Sequence, residues 1–188
     1  MVSSVLLVVT LPLQGLLALV VHRRLGSPVL FRQERPGKDE VIFELVKFRT
    51  MLEPDPAHGL ISDSDRLTRL GHFLRSTSLD ELPTLWNVVR GDMSLVGPRP
   101  LLVQYLGRYS PVQRRRHEVR PGITGLAQVS GRNGLDWEEK FALDVDYVDS
   151  RSPRLDFAIL VRTVGKVLKR DGISASGEAT MPEFLGTS

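Results

Sequence analysis

The 188-residue chain has no cysteine. Disulfides and thiolate metal sites are therefore excluded, and the absence fits a reducing compartment. The four histidines, His22, His58, His72 and His117, are scattered without metal-ligand spacing, so no histidine-based metal centre is expected. Aromatic residues make up only 6% of the chain. With no recognition motif and an apolar N-terminal segment, the sequence does not read as a nucleic-acid binder. No internal repeat is present. Lysine is scarce as well: of 25 basic residues, 20 are arginine, in a chain of net charge +3. Arginine forks suit phosphate and carboxylate oxygens, although an arginine-rich codon usage would give the same bias.

Charge is also missing from the first segment. Val2 to Val21 contains none, and twenty helical residues just span a hydrocarbon core of about 30 Å. A signal peptide is not expected, because no basic region precedes the run and no small-residue cleavage site follows it. His22-Arg23-Arg24 come next, so the positive-inside rule puts the downstream chain on the cytoplasmic face. Pro12, followed by Gln14 and Gly15, admits two readings: a kinked spanning helix, or a helix-break-helix that returns to the same face.

The length allows one domain with a core plus an appendage. Residues 1–25 are assigned to the membrane-embedded helix with its Pro12 break, 26–173 to one folded domain and 174–188 to a loose Ser/Gly/Thr-rich tail. Val29–Glu34 and Glu40–Phe48 read as a β-hairpin punctuated by Pro36-Gly37. Asp65–Arg75 carries a helical period at Leu67, Leu70, Phe73 and Leu74. The next helix is expected to start at Asp80 as N-cap, because Pro83 is tolerated only in a first turn. Short helices are expected over Pro98–Tyr109 and Pro111–Glu118, and an irregular or extended glycine-rich stretch over Arg120–Gly134. Helices follow over Asp136–Val148 and Leu155–Arg170, the last basic and amphipathic with Leu155, Ile159, Val161, Val164, Val167 and Leu168 on its apolar face. The fold class is α+β: a small hairpin or sheet among several short helices, some lying along the membrane.

The chemistry centres on "SLDELPTLWNVVRGDMSLVGPRP", Ser78 to Pro100. Adjacent acids such as Asp80 and Glu81 are, alone, most often helix-terminal structure. Here the sequence adds Lys47 and Arg49 at the end of the hairpin, Arg75 before the pair, and Arg99 in a Pro-Arg-Pro turn. Arg120 and Arg132 flank glycines that could bring backbone N–H groups close to an anion. The composite suggests a phosphate site that contains carboxylates, with Mg²⁺ and arginines offsetting the charge. One acid could hold metal while the other attacks phosphorus, or both could hold metal in a direct transfer. The acids could also simply cap a helix.

Several stretches carry a resemblance: "GSPVLFRQERPGKDEVIFELVKFRTM", "LRSTSLDELPTLWNVVRGDMSLVGPRPLLVQYL", "RHEVRPGITGLAQVSGRNGLDWEEKFALDVDYV" and "KVLKRDGIS". In this order they resemble the bacterial sugar transferase family, the monotopic phosphoglycosyl transferases, of the small PglC-like type, from about Gly26 to Gly172. The resemblance implies transfer of a phosphosugar from a UDP-sugar to polyprenyl phosphate at the cytoplasmic face of the bacterial inner membrane, with release of UMP. It implies that Asp80 is the covalent nucleophile and that Glu81 holds Mg²⁺. Arg75 and Arg99 would lie around the phosphates, with Lys47, Arg49, Arg120 and Arg132 in matching motifs. It also implies a re-entrant anchor. The family's Ser-Pro break reads Leu11-Pro12 here, and the apolar run starts at Met1 without the basic stretch that precedes it in the family. The rival function is a non-catalytic membrane-surface module in which the arginines bind anionic lipid.

Overall fold

A computed structural model describes residues 2–131, 134–169 and 183–186. The chain begins with helix α1 (Val2–Leu25), which runs through Pro12 without interruption. The helix-break-helix alternative is therefore not what is observed. Around the proline the polar side chains fold back on the helix: Thr10 Oγ1 donates to the Leu6 carbonyl at 2.7 Å, and Gln14 Nε2 donates to Thr10 Oγ1 at 3.0 Å. At 1.5 Å per residue the helix extends about 36 Å, which with a mean hydropathy of 2.4 makes it long and apolar enough to cross a membrane. Most of its length has no protein partner, since Val2, Val5, Val8, Val9, Leu11 and Leu16 are all exposed. Only its second half packs, through Leu17 and Val21.

Strands β1 (Leu30–Pro36) and β2 (Ile42–Phe48) form the expected antiparallel hairpin, with Leu30 opposite Phe48 and Pro36 opposite Ile42. Residue 40, expected in the second strand, lies instead in a short 3-10 turn, Lys38–Glu40, where Asp39 and Glu40 adopt positive φ. The helix expected over Asp65–Arg75 is two: α2 (Asp63–Arg66) and α3 (Arg69–Ser76). Each starts at its own N-cap: α2 at Ser62 with its capping-box partner Asp65, and α3 at Thr68, whose hydroxyl accepts from Gly71 N at 3.0 Å.

The helix expected from Asp80 is a 3-10 turn, Leu79–Thr84, followed by α4 (Leu85–Arg90). Asp80 is not its cap. Ser78 precedes the turn in left-handed conformation, with no side-chain capping bond. Pro83 lacks the N–H an α-helix would need there, and the α-helix begins only at Leu85. Strand β3 (Ser94–Val96) pairs in parallel with β4 (Gly122–Thr124), a second small sheet that sequence reading did not anticipate. Between them lie a 3-10 turn (Val103–Arg108), α5 (Pro111–Arg114) and a second turn (Arg115–Glu118). Helix α6 (Leu126–Ser130) occupies part of the stretch expected to be irregular, and five residues are too few to show a period. Helices α7 (Trp137–Ser150) and α8 (Pro153–Lys169) complete the described fold. On α8, Ile159 is fully buried, whereas Val161 and Val164, expected on the apolar face, point outward. The expected tail from residue 174 lies outside the described residues except for Glu183–Gly186.

Three apolar clusters hold these pieces. One joins Leu17 and Val21 of α1 to Phe48 of β2 and Leu74 of α3, with Leu79 and Leu82 of the 3-10 turn packed against it. A second gathers Val96, Val119, Val129, Tyr147, Val148 and Ile159. The third is aromatic: Tyr105, Tyr109, Phe141 and Phe184.

The free edge of β2 is closed by side chains rather than by another strand. Asn87, fully buried on α4, accepts from Val46 N at 3.1 Å and donates to the Glu44 carbonyl at 2.7 Å. Thr84 Oγ1 donates to the Val46 carbonyl at 2.9 Å. Asn87 thus docks the 3-10 turn and α4 onto the hairpin. Replacing Asn87 by Ala leaves the buried Val46 N–H and the part-buried Glu44 C=O unpaired, and should cost about 2 kcal/mol, read as a lowered denaturation midpoint.

Candidate active site

Three separately built segments converge on Asp80 and Glu81. The hairpin brings Lys47, whose Nζ lies 2.6 Å from Glu81 Oε1. The Pro98-Arg99-Pro100 turn brings Arg99, whose terminal nitrogen lies 2.7 Å from the same oxygen. Helix α3 brings Arg75, whose Nε donates to Thr50 Oγ1 at 3.0 Å and whose charge acts on Asp80. A Cβ on Gly71 would lie 1.9 Å from the Thr50 carbonyl, so only glycine lets α3 approach this closely.

The two acids differ in their surroundings. Glu81 carries two charge-assisted bonds on one oxygen and is only 15% exposed. Burial would raise its pKa, but Arg99 and Lys47 together outweigh burial and hold it down at about 2. Asp80 is 9% exposed. Among the described residues it makes no side-chain hydrogen bond or ion pair within 4 Å. Burial and the neighbouring Glu81 charge push it up to about 6, against the pull of Lys47, Arg99 and Arg75. Burial lowers the pKa of Lys47 and Arg75, whereas Glu81 raises that of Arg99. Glu81 is thus a pinned anion, and Asp80 a desolvated carboxylate beside three cations.

The Arg99 turn is braced from both sides by residues that sequence reading missed. Arg116 donates to the Arg99 carbonyl at 2.7 Å and is itself held by Asp144, with contacts at 2.7 and 3.0 Å. Arg35 donates to the Pro100 carbonyl at 3.3 Å. Arg116 and Asp144 are both nearly inaccessible, so each satisfies the other's charge in the interior. No short motif links them, because they are 28 residues apart.

The glycines near Arg99 serve backbone contact rather than an open anion nest. A Cβ on Gly122 would lie 2.1 Å from Gly97 N, and one on Gly125 2.2 Å from Gly97 O. This contact clamps the residues leading into Pro98. Of the remaining sequence candidates, Arg49 is buried elsewhere, donating to the carbonyls of Leu25 and Ser27 and pairing with Glu53. It ties the end of α1 to the hairpin. Arg120 is exposed, and Arg132 lies outside the described residues. Among the described residues a cavity of about 570 Å³ is lined by residues 28–32 with Arg49 and Glu53, and neither acid lines it.

Among the described residues no cluster of three or more Asp, Glu, His or Cys side chains could hold a metal ion alone. The donor set fits a Mg²⁺ ion that takes one or two carboxylates from the protein and completes its shell with phosphate oxygens and water.

The sequence profile of the bacterial sugar transferases matches residues 1–170. The chain is 53% identical over 169 residues to the uncharacterized sugar transferase EpsL of Bacillus subtilis, covering 89% of this chain and 84% of that protein. It is 45% identical to a UDP-galactose-lipid carrier transferase of Erwinia amylovora, covering 88% of this chain and 39% of that protein. It is 44% identical to a UDP-glucose:undecaprenyl-phosphate glucose-1-phosphate transferase of Caulobacter vibrioides, covering 85% and 64% respectively. The chain thus spans less than two thirds of the latter two.

The asymmetry of the acids has a stability signature. The folded protein binds the Asp80 proton more tightly than an unfolded chain does, at about 6 against 3.8. The stabilising contribution of this group is therefore fully present below pH 3.8 and lost as pH rises through 6. Asp80→Asn should raise stability by about 3 kcal/mol at pH 8 and by little at pH 4, measured by thermal unfolding at both values.

Proposed function

The chain belongs to the bacterial sugar transferase family, and from that premise we propose that it moves a sugar-1-phosphate from a UDP-sugar to polyprenyl phosphate, releasing UMP. The relatives' UDP-glucose, UDP-galactose and undecaprenyl-phosphate activities support the substrate classes. The observation that carries the reading is the unequal dyad: Glu81 is tied to Lys47 and Arg99, whereas Asp80 makes no such bond among the described residues and sits among cations.

Asp80 is the nucleophile. Its carboxylate attacks the phosphorus that bears the sugar, the bond from that phosphorus to the UMP oxygen breaks, and UMP leaves. The resulting aspartyl-phosphosugar is then attacked by an oxygen of polyprenyl phosphate. The Asp80–phosphorus bond breaks, and the carboxylate is regenerated with polyprenyl-diphosphate-sugar as product. A carboxylate with its pKa near 6 is more basic than an ordinary aspartate yet largely ionised at neutral pH, which suits it to attack. Lys47, Arg75 and Arg99 offset the donor's negative charge and orient its phosphates. Glu81 would hold Mg²⁺ through the oxygen that Lys47 and Arg99 leave unused, with Asp80 beside it. When bound, the ion supplies further charge neutralisation on the phosphates.

Location follows the same reading. Helix α1 anchors the protein in the inner membrane, and Arg23 and Arg24 hold the catalytic face on the cytoplasmic side, where UDP-sugars are found. The covalent intermediate lets a water-borne donor and a lipid-borne acceptor react in turn.

Purified protein given undecaprenyl phosphate, Mg²⁺ and a panel of UDP-sugars should release UMP with one or a few donors. Asp80→Asn should lower that release at least about 1,000-fold while folding normally. Intact mass after donor alone should show one added phosphosugar on wild type and none on the variant. UMP release with no adduct would favour direct displacement, and no UMP with any donor would leave lipid binding as the function. The donor kcat/KM should fall about tenfold per pH unit below pH 6, as Asp80 takes up a proton.

A further inference from the structure

The short segment Glu183–Gly186 lies far along the chain from the dyad yet is built into the support of Arg99. Phe184 is 3% exposed. Its ring stacks on Tyr109 at 5.8 Å and meets Phe141 edge-on at 4.9 Å. It packs on Tyr105 and Trp137 at 5.7 and 5.5 Å. The segment's polar atoms are tied as well. Phe184 N donates to Tyr105 Oη at 3.2 Å, and Glu183 accepts from Arg108 at 2.7 Å and from Gln104 at 2.8 Å.

The same aromatic box seats the groups that brace the Pro-Arg-Pro turn. Leu101 and Leu102, which directly follow Pro100, pack against it. The Arg116 guanidinium lies over the rings of Tyr109 and Phe141 at 5.7 and 5.6 Å and donates to Tyr109 Oη at 3.3 Å. Arg116 in turn holds the Arg99 carbonyl, and Arg99 holds Glu81. Phe184 closes the one side of this box that comes from the end of the chain. Without it Tyr109 and Phe141 lose a ring neighbour each, and with it the edge and face contacts that favour their present orientation.

We propose that the Glu183–Gly186 segment is a strap whose Phe184 is a positioning residue for the dyad, acting through Tyr109, Arg116 and the Pro98-Arg99-Pro100 turn. It rests on the reading of Asp80 and Glu81 as the reacting pair. Phe184 touches no substrate. It sets how firmly Arg99 is presented to Glu81, so the end of the chain governs the reaction without entering the site.

The test compares wild type, Phe184→Ala, Arg99→Ala and the double variant, with Trp137 fluorescence reporting undocking of the strap. Phe184→Ala should lower kcat for UMP release about tenfold, with donor KM changed less than twofold. In the Arg99→Ala background it should cost less than twofold more, because both changes break the same link. Losses that multiply in the double variant, or wild-type kcat in Phe184→Ala, would overturn the proposal. A second readout needs no turnover. The Arg99 side-chain N–H groups, followed by nitrogen NMR, should exchange with solvent more than tenfold faster in Phe184→Ala than in wild type, because their bond to Glu81 is held less firmly. Unchanged exchange sinks the strap whether or not UMP is formed. Faster exchange without UMP from wild type would leave the strap standing and remove the proposed reaction. Should Phe184→Ala fail to fold, Arg108→Gln loosens the segment through its polar ties alone, and identity with wild type in both readouts is the overturning result.

Discussion

Lys47 and Arg99 share one oxygen of Glu81, and the site depends on that junction. Each partner comes from a different part of the chain: a β-strand, a 3-10 turn and a proline-bounded loop. A single carboxylate oxygen cannot accept two charged donors at hydrogen-bond distance unless all three backbones are held in place. The neighbouring Asp80 inherits its character from this arrangement. Its partner acid remains ionised at about 2, so the repulsion between the two acids falls on Asp80.

The rest of the described structure can be traced as the means of holding those backbones. Asn87 and Thr84 fasten the 3-10 turn to the edge of β2, which puts Lys47 opposite Glu81. Gly71 lets α3 touch the chain at Thr50 and carries Arg75 inward. Gly97, Gly122 and Gly125 let two stretches of backbone press together just before Pro98, and Arg116, held by Asp144, and Arg35 donate to the carbonyls of the turn. A buried ion pair is weak evidence for stability, since hydrophobic replacements often do as well. Here it has a second duty, because Arg116 spends one of its donors on the Arg99 main chain.

What the sequence disclosed was local. The hairpin was legible from its β-rich runs and Pro-Gly turn, α7 from the spacing of Trp137, Phe141, Val145 and Val148, and α1 from twenty uncharged residues. Lys47, Arg75 and Arg99 were picked out by proximity to the acids or by flanking prolines, and the fold gathers all three. Arg49 was chosen by the same logic and lies elsewhere, because β2 ends at Phe48 and the alternation that turns Lys47 to the acids does not extend beyond it. The parallel pairing of β3 with β4 was invisible, since three-residue strands carry no period and parallel partners lie far apart in sequence. Arg116 and Asp144 escaped for a related reason: in sequence each looks like one more surface charge. The glycines were seen, but not that Gly122 and Gly125 make room for the backbone of Gly97, which no local pattern could show.

Helix α1 and the acidic turn share one apolar cluster, in which Leu17 and Val21 pack with Leu79 and Leu82 on either side of Asp80 and Glu81. On the proposed reading, anchor and active centre are thus packed directly together. With α1 seated in a bilayer, the height of the carboxylates above the hydrocarbon is fixed by side-chain packing, to within the play of a close-packed core. A reactant confined to the membrane then meets them by sliding in two dimensions at one depth. Its encounter rate scales with its number per unit area of membrane rather than per unit volume of cell.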